Sequence, residues 1–270
     1  VVKALPRLQG PAGAFVEAGG YLYWVNGSNA VYRVRTDGSG ALETVATTGA
    51  PSSDVIVVGN TVYWTESSGV WTTSVACATL PCTGNQQRFA EFGANTSAHG
   101  LLYQSRAGLR GNYRVYWVQR TTSGANSTYQ IRYRACNELI ICTLVAPSTL
   151  YTATLNWRIG DLVLANNNLY WTEADQTSVN NQNGDVKRKA YNATTPGADT
   201  LATGQAKIDD QLYVASDTLF FSRYSVGIFS LPLSASTIVR DFSADGLEVT
   251  QAIQNLANSA PLVANKTTYV

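Results

Sequence analysis

The pair Tyr-Trp recurs along the chain on short alternating apolar stretches, and no other feature restricts the fold as strongly. It stands in YLYW (21–24), TVYW (61–64), RVYW (114–117) and NLYW (168–171), with TLFF (218–221) as a variant and TTYV (267–270) as an incomplete copy. From Trp24 the successive intervals are 40, 53, 54, 50 and 49 residues. Strand-built repeats of this length imply a radial or stacked array, in which each unit buries its apolar face against its neighbours.

Aligning the units on this pair gives one grammar. An apolar run lies upstream: AFVEA (14–18), DVIVV (54–58), DLVLA (161–165), QLYVA (211–215) and PLVA (261–264). Such compact runs suit an inner strand covered on both faces. Turn residues follow at Gly19-Gly20, Gly59-Asn60, Asn166-Asn167 and Ser216-Asp217, and then the Tyr-Trp strand. A third strand is anchored by Val31, Val70, Ile131, Val186 and Ile228. ALETVATT, QQRFAEF, CTLVAP, DTLATG and STIVRDF read as fourth strands. Four antiparallel strands repeated radially make a blade. The expected fold is therefore all-β: a single six-bladed β-propeller over 1–270, anchored at Trp24, Trp64, Trp117, Trp171, Phe221 and Val270. Residues 1–8 and 262–270 would share an incomplete closing blade, and a longer chain would allow seven. No segment holds a 3.6-residue period; 246–258 comes nearest.

VYWTE (62–66) and LYWTE (169–173) resemble the YWTD-type propellers of the low-density-lipoprotein receptor group. The LATGQ lead (201–205) is similar to repeat propellers of secreted bacterial proteins. The resemblance implies a propeller that works as an extracellular binding module. In the YWTD group the last residue, Asp, ties blades together. Here that place holds Asn26, Glu66, Gln119, Glu173 and Arg223, so the scheme does not transfer intact.

Composition sets the compartment expected. Charged residues are 14% and the formal net charge is +1, which gives no electrostatic case for nucleic acid. No apolar run approaches the roughly 18 residues needed to cross a bilayer, so membrane insertion is not expected. The chain lacks Met and reads as a processed or partial product. Its Ser, Thr, Asn and Tyr content suits a secreted or cell-surface protein. The cysteines form two close pairs, Cys77/Cys82 and Cys136/Cys142. Local disulfides fit an oxidising compartment better than a zinc site, whose close ligand pairs are normally two residues apart. Cross-pairing stays open. Asn26, Asn95, Asn126, Asn192 and Asn265 head N-glycosylation sequons.

Candidate sites lie mainly where the repeat is interrupted. Two polar insertions, 121–129 and 174–184, would share one face and form a binding rim carrying Thr121, Asn126, Tyr129, Asp175, Asn180 and Asn183. Arg132, Arg134, Lys187 and Lys189 stand at matching places on adjacent third strands, either as a basic patch or as a solvated outer strand. Asp54 and Asp161 open inner strands, with Asp209 and Asp210 close to the equivalent place, and could face the axial opening as Ca²⁺ ligands. No other cofactor is implied. His99 is the lone histidine, in a loop-like NTSAHG stretch, and no nucleophile motif accompanies it.

Three functions follow. The first is a non-catalytic module that binds an extracellular protein or a glycan. The second is a carbohydrate-active hydrolase or lyase in which Asp54, Glu66, Asp161 and Glu173 converge in an open pocket. The third is a subunit that self-assembles by strand addition at the incomplete blade.

Overall fold

A computed structural model describes residues 12–241, apart from 27–28, 51, 77–79, 83–84, 106–112, 137–145, 178–182, 206–207, 224–226 and 235–239. The described chain forms five four-stranded antiparallel sheets, each ordered by sequence from inside to outside. The first blade comprises β1 (Ala12–Ala18), β2 (Tyr21–Asn26), β3 (Ala30–Arg35) and β4 (Glu43–Thr47). The second comprises β5 (Val55–Val58), β6 (Thr61–Glu66), β7 (Gly69–Ser74) and β8 (Gln87–Glu91). The third has β9 (Thr96–Ser105), β10 (Tyr113–Ser123), β11 (Asn126–Cys136) and β12 (Ser148–Thr152). The fourth has β13 (Trp157–Ala165), β14 (Asn168–Asp175), β15 (Gly184–Ala190) and β16 (Asp199–Ala202). The fifth has β17 (Ile208–Ala215), β18 (Thr218–Arg223), β19 (Gly227–Pro232) and β20 (Arg240–Asp241). The inner strands β1, β5, β9, β13 and β17 lie side by side in chain order. The closing blade, the 246–258 segment and the edge for strand addition fall outside the described residues.

The hairpin turns are chemically specified. Gly19-Gly20 and Asn166-Asn167 all have positive φ, a backbone state that Gly and Asn tolerate best. Four places depart from the sequence reading. The strand paired outside β11 in the third blade is Ser148–Thr152, whereas most of CTLVAP (142–147) lies outside the described residues. Its inner strand begins at Thr96, so His99 lies in a strand rather than a loop. The 121–129 stretch is no loop either: β10 and β11 pair continuously out to Ser123↔Asn126 around a Gly124-Ala125 turn. Thr121, Thr122, Thr128 and Tyr129 are residue types that suit strands although the segment is polar. The basic third-strand residues form no open patch, as shown below.

The core lies in the seams between blades. One apolar cluster joins Val45 and Ala46 of the first blade to Val55 and Trp64 of the second. Another joins Tyr63 and Phe89 of the second to Val115 and Trp117 of the third. A third runs from Tyr116 and Leu150 through Trp171 to Phe221 and Phe229. Consecutive residues of a strand face opposite ways. Trp64, Trp117 and Trp171 therefore pack back on the preceding blade, while Tyr63 and Tyr116 face the following one. A buried ring of this size removes roughly 200 Å² from water, a gross gain of about 5 kcal/mol before entropy.

Every described fourth strand of the first four blades carries a bulge where it pairs with the third. Val45, Phe89, Leu150 and Leu201 are the extra residues, each a buried side chain turned into a seam. A bulged residue leaves a main-chain group outside the ladder. The following blade reaches three of these carbonyls.

Candidate functional site

The polar residues at recurring positions are consumed in the seams. Glu66 and Glu173 are buried, and each accepts a hydrogen bond from the indole of its own strand, Trp64 Nε1 at 2.7 Å and Trp171 Nε1 at 2.9 Å. Trp24 and Trp117, which lack a Glu two residues on, have no partner for their indole nitrogens among the described residues. Asp54 is buried and bridges two inner strands: Oδ1 accepts from the Val55 amide at 2.9 Å and Oδ2 from the Leu101 amide at 2.6 Å. Asp161 holds the equivalent place before Leu162 and is half-buried. In the next seam His99 takes over, its Nε2 lying 3.0 Å from the Ile159 carbonyl. A carbonyl only accepts, so Nε2 carries the hydrogen. The four carboxylates proposed for hydrolysis thus include three that packing already buries. Asp209 and Asp210 lie on β17, and nothing further is described of their side chains. Among the described residues no three acidic, His or Cys side chains cluster as a metal site.

The basic residues behave likewise. Arg134 and Lys189 are 7% and 5% exposed, so neither stands on a solvated strand or an open patch. Arg134 Nη1 donates to the Phe89 carbonyl, with the guanidinium over the Phe89 ring. Lys189 Nζ donates to the Leu150 carbonyl at 2.8 Å and to the Thr195 carbonyl at 2.6 Å. Burial pulls both groups below their ordinary pKa. Arg132 reaches Gln130 Oε1 and the Pro147 carbonyl, and burial lowers its pKa as well. Lys187 sits 3.5 Å from Glu173 and 3.4 Å from Asp185. Beside this cluster, burial first and then the Glu173 charge raise the Tyr151 hydroxyl far above the usual phenol range.

The rim is built differently. Asn156, between β12 and β13, adopts a positive φ of 63°. That geometry turns its backbone and its side chain toward the β10–β11 hairpin. Its amide donates to the Ser127 carbonyl at 2.9 Å, and its Oδ1 accepts from the Ser127 amide at 2.7 Å. Its Nδ2 donates to Asn126 Oδ1 at 3.1 Å, and its carbonyl accepts from the Gln176 amide at 3.0 Å. On the far side the Thr122 amide donates to the Asn95 carbonyl at 3.0 Å. Asp175 caps the next turn, accepting from the Thr177 amide and hydroxyl at 2.8 and 2.6 Å. One hairpin, two inter-blade links and one loop are thereby stitched into a single surface.

Leu155, beside Asn156 in the link, is 54% exposed, and Thr154, Ser123, Asn126, Gln176 and Thr177 on the three stitched segments are exposed as well. Of the residues expected at the rim, Thr121, Asn126 and Asn183 are exposed and Asp175 is half-buried. Tyr129, at 2%, is core, and Asn180 lies outside the described residues. The repeat pattern does not single out Asn156 and Leu155, because CTLVAP reads as the fourth strand and leaves the link after Thr152 without a marked role. The positive signal was the Asn after a short polar link, a residue suited to a left-handed turn. Sequon residues Asn95 and Asn192 are exposed; Asn265 lies outside the described residues, as does the side chain of Asn26. Cys82 and Cys136 are buried, while Cys77 and Cys142 are outside the described residues.

No protein-family model matches the chain, and no curated protein matches it. Solved structures do. A puromycin-hydrolyzing peptidase of Mycobacterium tuberculosis is similar at a TM-score of 0.59 and 10% identity, over 87% of this chain and 39% of that one. The calcium-binding protein regucalcin of Agrobacterium tumefaciens matches at 0.55 and 10% identity, over 85% of this chain and 74% of that one. The WD40 β-propeller domain of Doa1 matches at 0.55 and 11% identity, over 88% of this chain and 70% of that one. The fold is a β-propeller. The chain spans well under half of the peptidase, and identities this low carry architecture alone.

Proposed function

We propose that this propeller is a secreted or cell-surface binding module without catalysis. It engages an extracellular protein or a glycan through the rim formed by the β10–β11 tip, the 153–156 link and the turn after Asp175. The kinship with YWTD-type and secreted bacterial propellers, the disulfides Cys77–Cys82 and Cys136–Cys142, and glycosylation of exposed sequons belong to the same reading. So does the absence of nucleic acid and membrane among its partners.

One observation carries the choice. Acidic side chains at recurring positions are spent on indoles and main-chain amides inside the seams, whereas the rim segments expose Leu155 together with the uncharged polar residues Ser123, Asn126, Thr154, Gln176 and Thr177. Buried carboxylates already holding donors offer no pair at an open pocket for acid–base work on a glycosidic bond. An apolar centre ringed by polar groups is the usual anatomy of a contact patch.

The test is a panel of extracellular proteins and neutral oligosaccharides, probed with the intact chain, with Leu155→Asp, and with Leu42→Asp. Leu42 is 40% exposed on the β3–β4 loop and serves as the control. Binding that Leu155→Asp weakens at least tenfold and Leu42→Asp leaves alone supports the reading. Binding indifferent to Leu155, or glycoside cleavage abolished by Asp161→Asn, overturns it.

A further inference from the structure

Four of the six tryptophans are the repeated ones, Trp24, Trp64, Trp117 and Trp171, and none is more than 2% exposed. The other two, Trp71 and Trp157, are half-buried. Trp71 is covered within its own blade: the Arg88 guanidinium lies 5.2 Å from its ring centre, and its Nε1 donates to Ser68 Oγ at 3.0 Å. Trp157 has neither a ring nor a cation stacked on it among the described residues. It opens β13, next to Asn156 and outside the repeated aromatic pair. Its side chain packs partly on the apolar cluster that runs from the third blade to the fifth, and part of it stays in water.

The backbone beneath this ring is held from both sides. The Trp157 amide donates to the Thr154 carbonyl at 2.9 Å, closing a turn centred on Leu155 and Asn156. Trp157 pairs with Asp175 on β14, and the Gln176 amide donates to the Asn156 carbonyl at 3.0 Å. Residues directly opposite in an antiparallel pair share a face, so Asp175 stands beside the indole. Its Oδ1 is engaged by the Thr177 turn. Asn126, Thr154, Gln176 and Thr177 are exposed on the adjoining segments.

We propose that the rim binds an oligosaccharide, with Trp157 as the platform for one pyranose ring. The proposal rests on the rim reading above and names its ligand. A β-linked glucose-type ring has a flat face of carbon-bound hydrogens and a periphery of hydroxyls. An indole offers a matching flat face and has only two side-chain torsions to fix. The hydroxyls then need positioned, uncharged donors and acceptors, which the stitched segments carry. A protein partner asks for more. Its interface covers roughly 800 Å² on each side with an apolar core, and the large apolar side chains here are Leu155 and the open part of Trp157.

Titration calorimetry of the intact chain with oligomers of β-linked glucose, of β-linked N-acetylglucosamine and of galacturonic acid tests this. At least one of these should bind. Trp157→Leu, which keeps an apolar side chain and removes the ring, should weaken that binding by roughly tenfold or more, and Trp71→Leu should leave it unchanged. The sugar-dependent change in tryptophan emission should persist in Trp71→Leu and vanish in Trp157→Leu. The proposal is overturned if none of the oligomers binds, or if Trp157→Leu binds as the native chain does. An acidic oligomer whose binding survives Trp157→Leu also overturns it, because charge rather than the ring would then hold the ligand. Should Trp157→Leu fail to fold, oxidation of the native chain by N-bromosuccinimide takes its place. Bound oligomer should then protect Trp157 and leave Trp71 as reactive as before; equal oxidation of Trp157 with and without oligomer contradicts the proposal. An extracellular protein whose binding is lost in Leu155→Asp and kept in Trp157→Leu, with no sugar bound, overturns this assignment and sustains the rim reading.

Discussion

Seams and rim draw on overlapping residue types and put them to opposite uses. In the seam between the third and fourth blades, Glu173, Lys189 and Tyr151 turn inward and meet an indole, carbonyls and one another. On the rim a few residues away, Asn156 spends its groups tying links together and leaves Leu155 and its polar neighbours facing out. The difference is positional. A side chain at a recurring strand position has a neighbouring blade some 50 residues away in sequence to satisfy. A side chain in a link or hairpin tip has only its own connection to hold.

The largest expected contrast is in stability. Trp171→Ala should cost about 3–5 kcal/mol in denaturant unfolding, through a seam cavity and the loss of Glu173's indole donor, while Leu155→Asp should stay within about 0.5 kcal/mol. Equal losses would break the comparison. Next comes Lys189→Met, which leaves the Leu150 and Thr195 carbonyls without their donor. It should cost about 1–3 kcal/mol by the same measurement, whereas Asn183→Ala on the rim should be near neutral.

The seams also carry a pH signature. Burial holds the Tyr63 hydroxyl far above its ordinary range, and pushes Tyr116 up to about 12. A group with a raised folded pKa gives stability that is complete below its unfolded value, near 10, and lost as pH rises toward the folded value. Between pH 10 and 12 stability should therefore fall by on the order of 1 kcal/mol per pH unit for each such tyrosine. Tyr116→Phe should flatten that slope in unfolding curves taken across the range. A more local effect is expected at Asn156→Ala, about 1 kcal/mol in global stability, with faster exchange confined to the hairpin tip and the 175–177 turn.

Much of the architecture was legible because the aromatic pair fixes strand register and the turns mark hairpin ends. Among the other described blades the Tyr-Trp and third strands fall where the repeat places them, while the inner strands of the fourth and fifth begin earlier than read, at Trp157 and Ile208. The third blade resisted because its inner strand, TSAHGLLYQS, mixes polar residues with a glycine of positive φ at Gly100. Gly100 lies where a Cβ would crowd the Val118 side chain at 3.2 Å, a constraint that strand alternation does not reveal. The polar roles were hidden for another reason. Arg134 looks like a surface residue until the bulge at Phe89 leaves a carbonyl outside the ladder, 45 residues earlier in the chain. A one-residue bulge in a neighbouring sheet leaves almost no mark in the sequence that depends on it.

The most direct test of this division of labour is a binding titration of one partner, taken from the extracellular protein and oligosaccharide panel, against three variants: Leu155→Asp, Glu173→Gln and Asp161→Asn. The account predicts that Leu155→Asp loses at least tenfold in affinity, while the two carboxylate variants, wherever they remain folded, bind as the native chain does. Binding or turnover that depends on Glu173 or Asp161 and ignores Leu155 would contradict it.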